Sequence, residues 1–129
     1  MQNMSGGKSA LGLDVNVASL LAYIPLCFVG IIVSIIILVT DKANKVARFH
    51  AFQSLLLHAV FVLLYIVVMV LGVMSAATNS GIQGMLTGLL YIVWIVGLLG
   101  LCILAMVKAY SGDLFKYPVI GDMADKWSN

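Results

Sequence analysis

Three long hydrophobic runs dominate the chain, at about Val17–Val39, Ala51–Met74 and Ile82–Val107. Each holds roughly 20 or more apolar or small residues, the number a helix rising about 1.5 Å per residue needs to cross a hydrocarbon core about 30 Å thick. The breaks between them differ. Asp41–Gln53 carries Asp41, Lys42, Lys45 and Arg48, whereas Ser75–Gly81 is short and uncharged. The pattern predicts an all-α fold, an integral membrane three-helix bundle forming one domain over residues 14–129. A mobile head, Met1–Leu13, precedes it, and a short interfacial tail at 108–129 closes it.

The first run is longer than the apolar core of a signal peptide, and Val39-Thr40-Asp41 is no small-residue cleavage site, so it reads as a retained helix. Asp14 or Asn16 is placed to cap its start. Pro25 has no N–H to give the Leu21 carbonyl and is expected to bend it. After the third run Gly112 offers a left-handed stop, and Asp113–Pro118 is expected to be extended because Pro118 disfavours helix at Tyr117. Asp122, with Asp125 three residues on, then marks a last short helical turn. Tyr110, Phe115, Tyr117 and Trp127 suit a tail lying half buried among lipid headgroups.

Composition sharpens this picture. Of 129 residues, 63% are hydrophobic and 9% charged, too few charges to cover a soluble surface. The net charge of +2 and the position of the cations at the membrane flanks give no nucleic-acid footprint. They speak to topology instead. With three spans, Lys8 lies on one side, and Lys42, Lys45, Arg48, Lys108, Lys116 and Lys126 lie on the other. The positive-inside bias then puts the N-terminus outside the cell (plasma or inner) membrane, with the Asp41–His50 loop and the C-terminus in the cytoplasm.

Candidate chemistry is sparse. His58 is the ionisable side chain deep within a run, and Ser54 and Tyr65 share its helical face, forming an intramembrane polar stripe with His50 behind it. A neutral histidine bonded to a neighbouring helix and a proton or substrate relay are the two readings of that stripe. His50 and His58 are about 12 Å apart along a helix, too far to share a metal ion. Cys27 and Cys102 sit at different depths and are read as unpaired fillers. No set of residues with catalytic spacing is visible, so neither an enzyme nor a cofactor is expected. Gly81, Gly84 and Gly88 mark a helix-packing face, with a weaker small-residue pair at Gly30 and Ser34. Such faces let backbones approach closely, either within one chain or between copies of it.

Two segments carry a resemblance. Lys45-Val46-Ala47-Arg48-Phe49-His50-Ala51-Phe52-Gln53-Ser54 is one, and Lys108-Ala109-Tyr110-Ser111-Gly112 with Phe115-Lys116-Tyr117-Pro118-Val119-Ile120-Gly121-Asp122 is the other. The opening Leu13-Asp14-Val15-Asn16-Val17-Ala18, with Tyr23, agrees with them. From Leu13 to Trp127 the chain resembles a small prokaryotic membrane-protein family related to the Tic20-like subunit of the chloroplast inner-envelope import translocon. The import subunit has four spans, and this chain departs from it in having three by hydropathy. The resemblance implies an all-helical membrane protein associating with itself or with translocation machinery. It carries over Arg48, His50, Gln53, Tyr117, Pro118, Gly121 and Asp122 as pattern positions.

Charge adds Lys45 to these, since Asp122 or Asp125 could pair with Lys45 or Arg48 and fasten the tail beneath the bundle. Loop and tail would then form one cytoplasmic interaction surface. The expected function is a non-enzymatic, translocon-like or membrane-insertion and assembly component. Its partners are the lipid bilayer and further copies of itself or other membrane proteins. A small ion or metabolite channel or transporter subunit is the alternative, as is an accessory protein stabilising another membrane protein.

Overall fold

The computed structural model describes residues 7–26 and 28–129. They form five helices: α1 (Val15–Leu21), α2 (Val29–Thr40), α3 (Lys45–Thr78), α4 (Gly81–Tyr110) and α5 (Ile120–Ser128). The fold is all-α, as the hydropathy predicts. Two helices, α3 and α4, are long and apolar enough to cross a membrane.

The first hydrophobic run does not give the single bent helix expected of it. Pro25 cannot continue α1, and the last turn tightens so that Tyr23 and Ile24 donate to the carbonyls of Leu20 and Leu21 (3.0 and 3.3 Å). Phe28 then takes a left-handed conformation (φ 63°), and the Gly30 N–H donates back to the Ile24 carbonyl at 3.0 Å. The chain has reversed. A Cβ at Gly30 would lie 2.5 Å from the Ala22 carbonyl oxygen and 2.6 Å from that of Ile24, so only glycine lets α2 start this close to the end of α1. Hydroxyls satisfy the backbone that the turn exposes. Ser54 of α3 donates to the Ala22 carbonyl at 2.5 Å, and the Ser34 hydroxyl of α2, which donates to the Gly30 carbonyl at 2.7 Å, lies 3.5 Å from the same Ala22 oxygen. Non-helical backbone in apolar surroundings persists only where protein groups meet its polar atoms in this way.

Because α2 runs back, its C-terminal end returns to where α1 began. Asp41 accepts from the Ala10 N–H (3.0 Å) and from the Asn44 N–H (3.1 Å). The N-terminal segment and the Asp41 loop therefore lie at the same end of the molecule, whereas three full crossings would have placed them at opposite ends. Residues 7–13 of the expected mobile head close into a turn. Ser9 donates to Leu13 (2.8 Å), Gly12 to Ser9 (2.9 Å) at a φ of 74°, and Val15 to Gly7 (3.0 Å). Residues 1–6 lie outside the described residues. Asp14 precedes α1 but makes no side-chain capping bond.

Helix α3 starts six residues before the hydropathic boundary at Ala51. Asn44 caps it by accepting from the Ala47 N–H at 3.2 Å, so the basic flank is helical rather than a loop. Asn79 ends it in the left-handed region (φ 54°), and Ser80 caps α4 through the Gln83 N–H at 3.3 Å. Gly112 (φ 76°) ends α4 as expected. Helix α2, the tail and α5 pack against the first half of α3, α1 packs against α4 as well as α3, and continuous burial along α3 stops at Phe61. Beyond it α3 and α4 touch mainly each other, through contacts such as the Trp94 indole N–H to the Phe61 carbonyl (2.8 Å), and their remaining apolar side chains face outward.

Candidate functional site

The polar centre of the molecule is built on Gln53, two turns into α3 and 1% exposed. Its side-chain amide donates to the Tyr23 hydroxyl (3.0 Å), at the hairpin turn, and to the Phe115 carbonyl (2.9 Å), in the tail. Its carbonyl oxygen accepts from the Tyr117 N–H at 3.3 Å. One side chain thus joins three segments that are distant in sequence. Glutamine suits this position because it both donates and accepts without carrying a charge into a dry interior. The Tyr23 hydroxyl also meets His50 Nδ1 at 3.1 Å, and the two rings pack edge to face with centroids 5.8 Å apart.

The tail is shaped to reach this hub. The Tyr117 hydroxyl donates to the Leu101 carbonyl of α4. Burial pushes the Tyr117 phenol up to about 12, so the proton it donates stays in place across the physiological range. After exposed Pro118, Val119 adopts φ 66° and ψ −57°, a tight turn in which the Ile120 N–H donates to the Pro118 carbonyl at 2.7 Å. Gly121 then sits against Lys116 and Gln53, where a Cβ would lie 2.6 Å from Lys116 Cβ and 2.9 Å from Gln53 Oε1. His50, Gln53, Tyr117 and Gly121, four of the positions singled out by pattern resemblance, are therefore one buried constellation. Tyr117 is 6% exposed, not half buried at the interface as its spacing suggested.

The expected ion pairs between loop and tail do not form. Asp125 pairs with Lys116 (2.5 Å) and Asp113 with Lys108 (3.0 Å), both within the C-terminal part of the chain. Arg48 donates to the Leu38 carbonyl at the end of α2 (3.2 Å) and lies over the Phe52 ring at 5.6 Å. Phe52 in turn meets Trp127 of α5 edge to face at 5.9 Å. Arg48 so ties the hairpin to α3, while the tail is held by the neutral amide of Gln53 and by aromatic packing. Lys45, Pro118 and Asp122 remain exposed around the rim of this plate.

The intramembrane stripe is brought together only in part. Ser54 and His58 meet, Oγ to Nδ1 at 3.2 Å, and His58 Nδ1 also lies 2.8 Å from the Ser54 carbonyl. Tyr65 sits away from them, tilted against Trp94 at 5.2 Å. Of the glycine face, a Cβ on Gly84 would approach Ser75 Oγ at 3.1 Å, whereas Gly81 and Gly88 face open space. The glycines packed tightly against neighbours are Gly30 and Gly121 instead. Cys102 is free and buried, and Cys27 lies outside the described residues. Sequence reasoning placed Tyr23 only within a resemblance and gave it no role. A tyrosine two residues before the one proline of an apolar run was the available signal that this segment turns within protein.

Comparison with known proteins agrees with a membrane role. The family model described as the magnetosome magnetite crystal formation protein family matches residues 13–124. A UPF0132 membrane protein of Methanocaldococcus jannaschii is 35% identical over 124 residues, covering 95% of this chain and 96% of the relative. A second from the same organism is 30% identical over 118 residues, covering 92% and 73%. One from Archaeoglobus fulgidus is 33% identical over 111 residues, covering 86% and 92%. No solved structure matches the chain. These relatives support the resemblance to a prokaryotic membrane-protein family, and the further link to the Tic20-like subunit is carried by none of them.

Proposed function

The chain belongs to the magnetosome magnetite crystal formation protein family, and on that premise we propose that it is a non-enzymatic membrane-organising protein. It crosses the bilayer twice, through α3 and α4, and dips the α1–α2 hairpin into the same leaflet from which α3 departs. All seven cations (Lys8, Lys42, Lys45, Arg48, Lys108, Lys116 and Lys126) then fall on one side, and the Asn79–Ser80 turn on the other has none. The positive-inside bias makes that charged side cytoplasmic, with both termini in the cytoplasm. The N-terminus is thereby reassigned from the outer side, where three spans had put it.

The observation that carries the proposal is the Gln53 hub. It fixes hairpin, loop and tail as one plate at the membrane surface and leaves Lys42, Lys45, Pro118 and Asp122 exposed around it. Such a plate suits reception of another membrane protein, including an insertion, translocation or assembly component. The family's name refers to magnetite crystal formation. What the residues support for this chain is the membrane side of such a process. Among the described residues no three His, Cys, Asp or Glu side chains gather into a metal-holding group.

Site-specific photocrosslinking in native membranes tests this reading. Probes at Lys42 and Trp127 are expected to capture the same membrane-protein partner, and Gln53→Leu is expected to abolish capture from Trp127 while the protein stays membrane-inserted. Capture that ignores Gln53, or ion flux through vesicles holding the purified chain alone, would contradict it.

A further inference from the structure

Helix α5 is joined to the rest of the molecule by one strained hinge. Among the described helices it packs on α3 alone, through its buried face of Gly121, Ala124 and Ser128 and the edge of Trp127 against Phe52. The chain just before it is firmly held. Gln53 binds the Phe115 carbonyl and the Tyr117 N–H, and the Tyr117 hydroxyl donates to the Leu101 carbonyl. Between that anchor and α5 stand Pro118 and Val119, both exposed. Val119, at φ 66° and ψ −57°, is a β-branched residue in a region where its side chain crowds the backbone. Such a conformation costs free energy and persists only where its surroundings impose it. The Val119 side chain is 71% exposed, so packing around it does not impose the turn. What imposes it is the return of α5 onto the α3 of its own chain.

We propose that two copies of this chain exchange α5, each seating it on the α3 of the other through an opened Val119 hinge. The seat is the same in both copies, so exchange restores the α3 contacts and the Asp125–Lys116 pair while Val119 relaxes to an extended conformation. Short hinges under strain favour this outcome. Opening gives up two bonds of the turn, from the Ile120 N–H to the Pro118 carbonyl (2.7 Å) and from the Gly121 N–H to the Tyr117 carbonyl (2.8 Å). The first lies in exposed chain, where water replaces it. The Gln53 hub is untouched, because the hinge follows Tyr117. Reach fixes the geometry of the pair. The four residues from Tyr117 to Gly121 extend at most about 14 Å, so the two-fold axis passes close beside the exposed Pro118. Two copies in one membrane share an orientation, which sets their plates side by side.

The Lys116–Asp125 pair, whose charged atoms lie 2.5 Å apart, allows a test on the full-length protein. Copies grown in ¹⁴N and in ¹⁵N are mixed in detergent, reconstituted into liposomes and treated with a carbodiimide, which joins an amine to a carboxylate it touches. Without exchange the tryptic peptide 109–126 closes on itself. With exchange two such peptides are joined by reciprocal Lys116–Asp125 links, and joined pairs carrying both isotopes appear. Wild type is expected to give this mixed product. Val119→Gly accepts the positive φ and should lower the ratio of joined to self-closed peptide roughly 10-fold. Val119→Pro cannot take that φ and should raise the ratio by roughly as much. No mixed product from wild type, or the same ratio in wild type and Val119→Gly, would overturn the proposal, since chance encounters between neighbours do not respond to residue 119. A ratio that falls in Val119→Pro would overturn it too, and wild type with Val119→Gly decides the question if the proline variant does not fold.

Discussion

Replacing Gln53 by leucine is expected to release the C-terminal tail while leaving the two long helices in the membrane. Leucine has about the same volume and keeps the apolar contacts, so the loss is confined to hydrogen bonds. The Phe115 carbonyl and the Tyr117 N–H, which Gln53 meets at 2.9 and 3.3 Å, are left without that partner. Orphaning buried polar groups costs about 1–3 kcal/mol each, so the two together cost about 2–6 kcal/mol. Limited trypsin digestion from the tail side reads the effect directly, because Lys116 adjoins the lost anchor. Wild-type protein should resist cleavage there and Gln53→Leu should be cut quickly. Gln53→Glu makes a second, sharper comparison. A carboxylate can still accept from Tyr117 but cannot donate to Phe115, and burying its charge costs more, so it should be at least as destabilising. If both variants keep the tail protected, the hub does not hold it.

Gly30→Ala should be strongly destabilising for so small a change. The added Cβ would meet two backbone oxygens, those of Ala22 and Ile24, at 2.5 and 2.6 Å, and backbone cannot rotate away as a side chain can. To make room, α2 must move off α1, which also carries the Ser34 hydroxyl away from the Ala22 carbonyl. Overpacking of this kind costs about 3 kcal/mol. Gly100→Ala is the matched control, since a Cβ there meets nothing within 4 Å, and alanine favours helix. Reversible unfolding in mixed micelles should separate the two widely, with Gly100→Ala at or slightly above wild type. Equal stability of the two variants would mean that the hairpin turn is not built as described.

The contrast between what the chain announces and what it conceals has a physical basis. Hydropathy sums apolar content along the sequence, and α3 and α4 are visible to it because each is one continuous apolar helix. It is blind to reversal. Val17–Val39 scores as a span although Pro25 ends one helix and Gly30 permits another to begin against it. The clues were polar and small: Tyr23, Gly30, Ser34 and Ser54, each meeting turn backbone or the hub. Lys8 was another. As the lone cation on the far side of a three-span scheme it was an exception, and with the hairpin it joins the other six. The plate was half legible. Pattern resemblance gathered His50, Gln53, Tyr117 and Gly121, but charge complementarity suggested ion pairs as the fastening. Asp122 and Lys45 stay exposed, where solvated charges gain little from pairing, and a neutral amide makes the buried link. Basic residues also disguised the start of α3, since Lys45 and Arg48 lower hydropathy without opposing a helix that Asn44 caps.

The same-side arrangement of the N-terminal segment and the Asp41 loop is the claim on which hairpin, plate and orientation all depend. Cysteine accessibility in sealed vesicles of known sidedness tests it most directly, using Lys8→Cys, Lys42→Cys and Ser80→Cys, each in a background without native cysteines, and a membrane-impermeant maleimide. The proposed topology predicts that positions 8 and 42 label from the same, cytoplasmic face and position 80 from the opposite face. Labelling of positions 8 and 42 from opposite faces would contradict it and restore three full crossings.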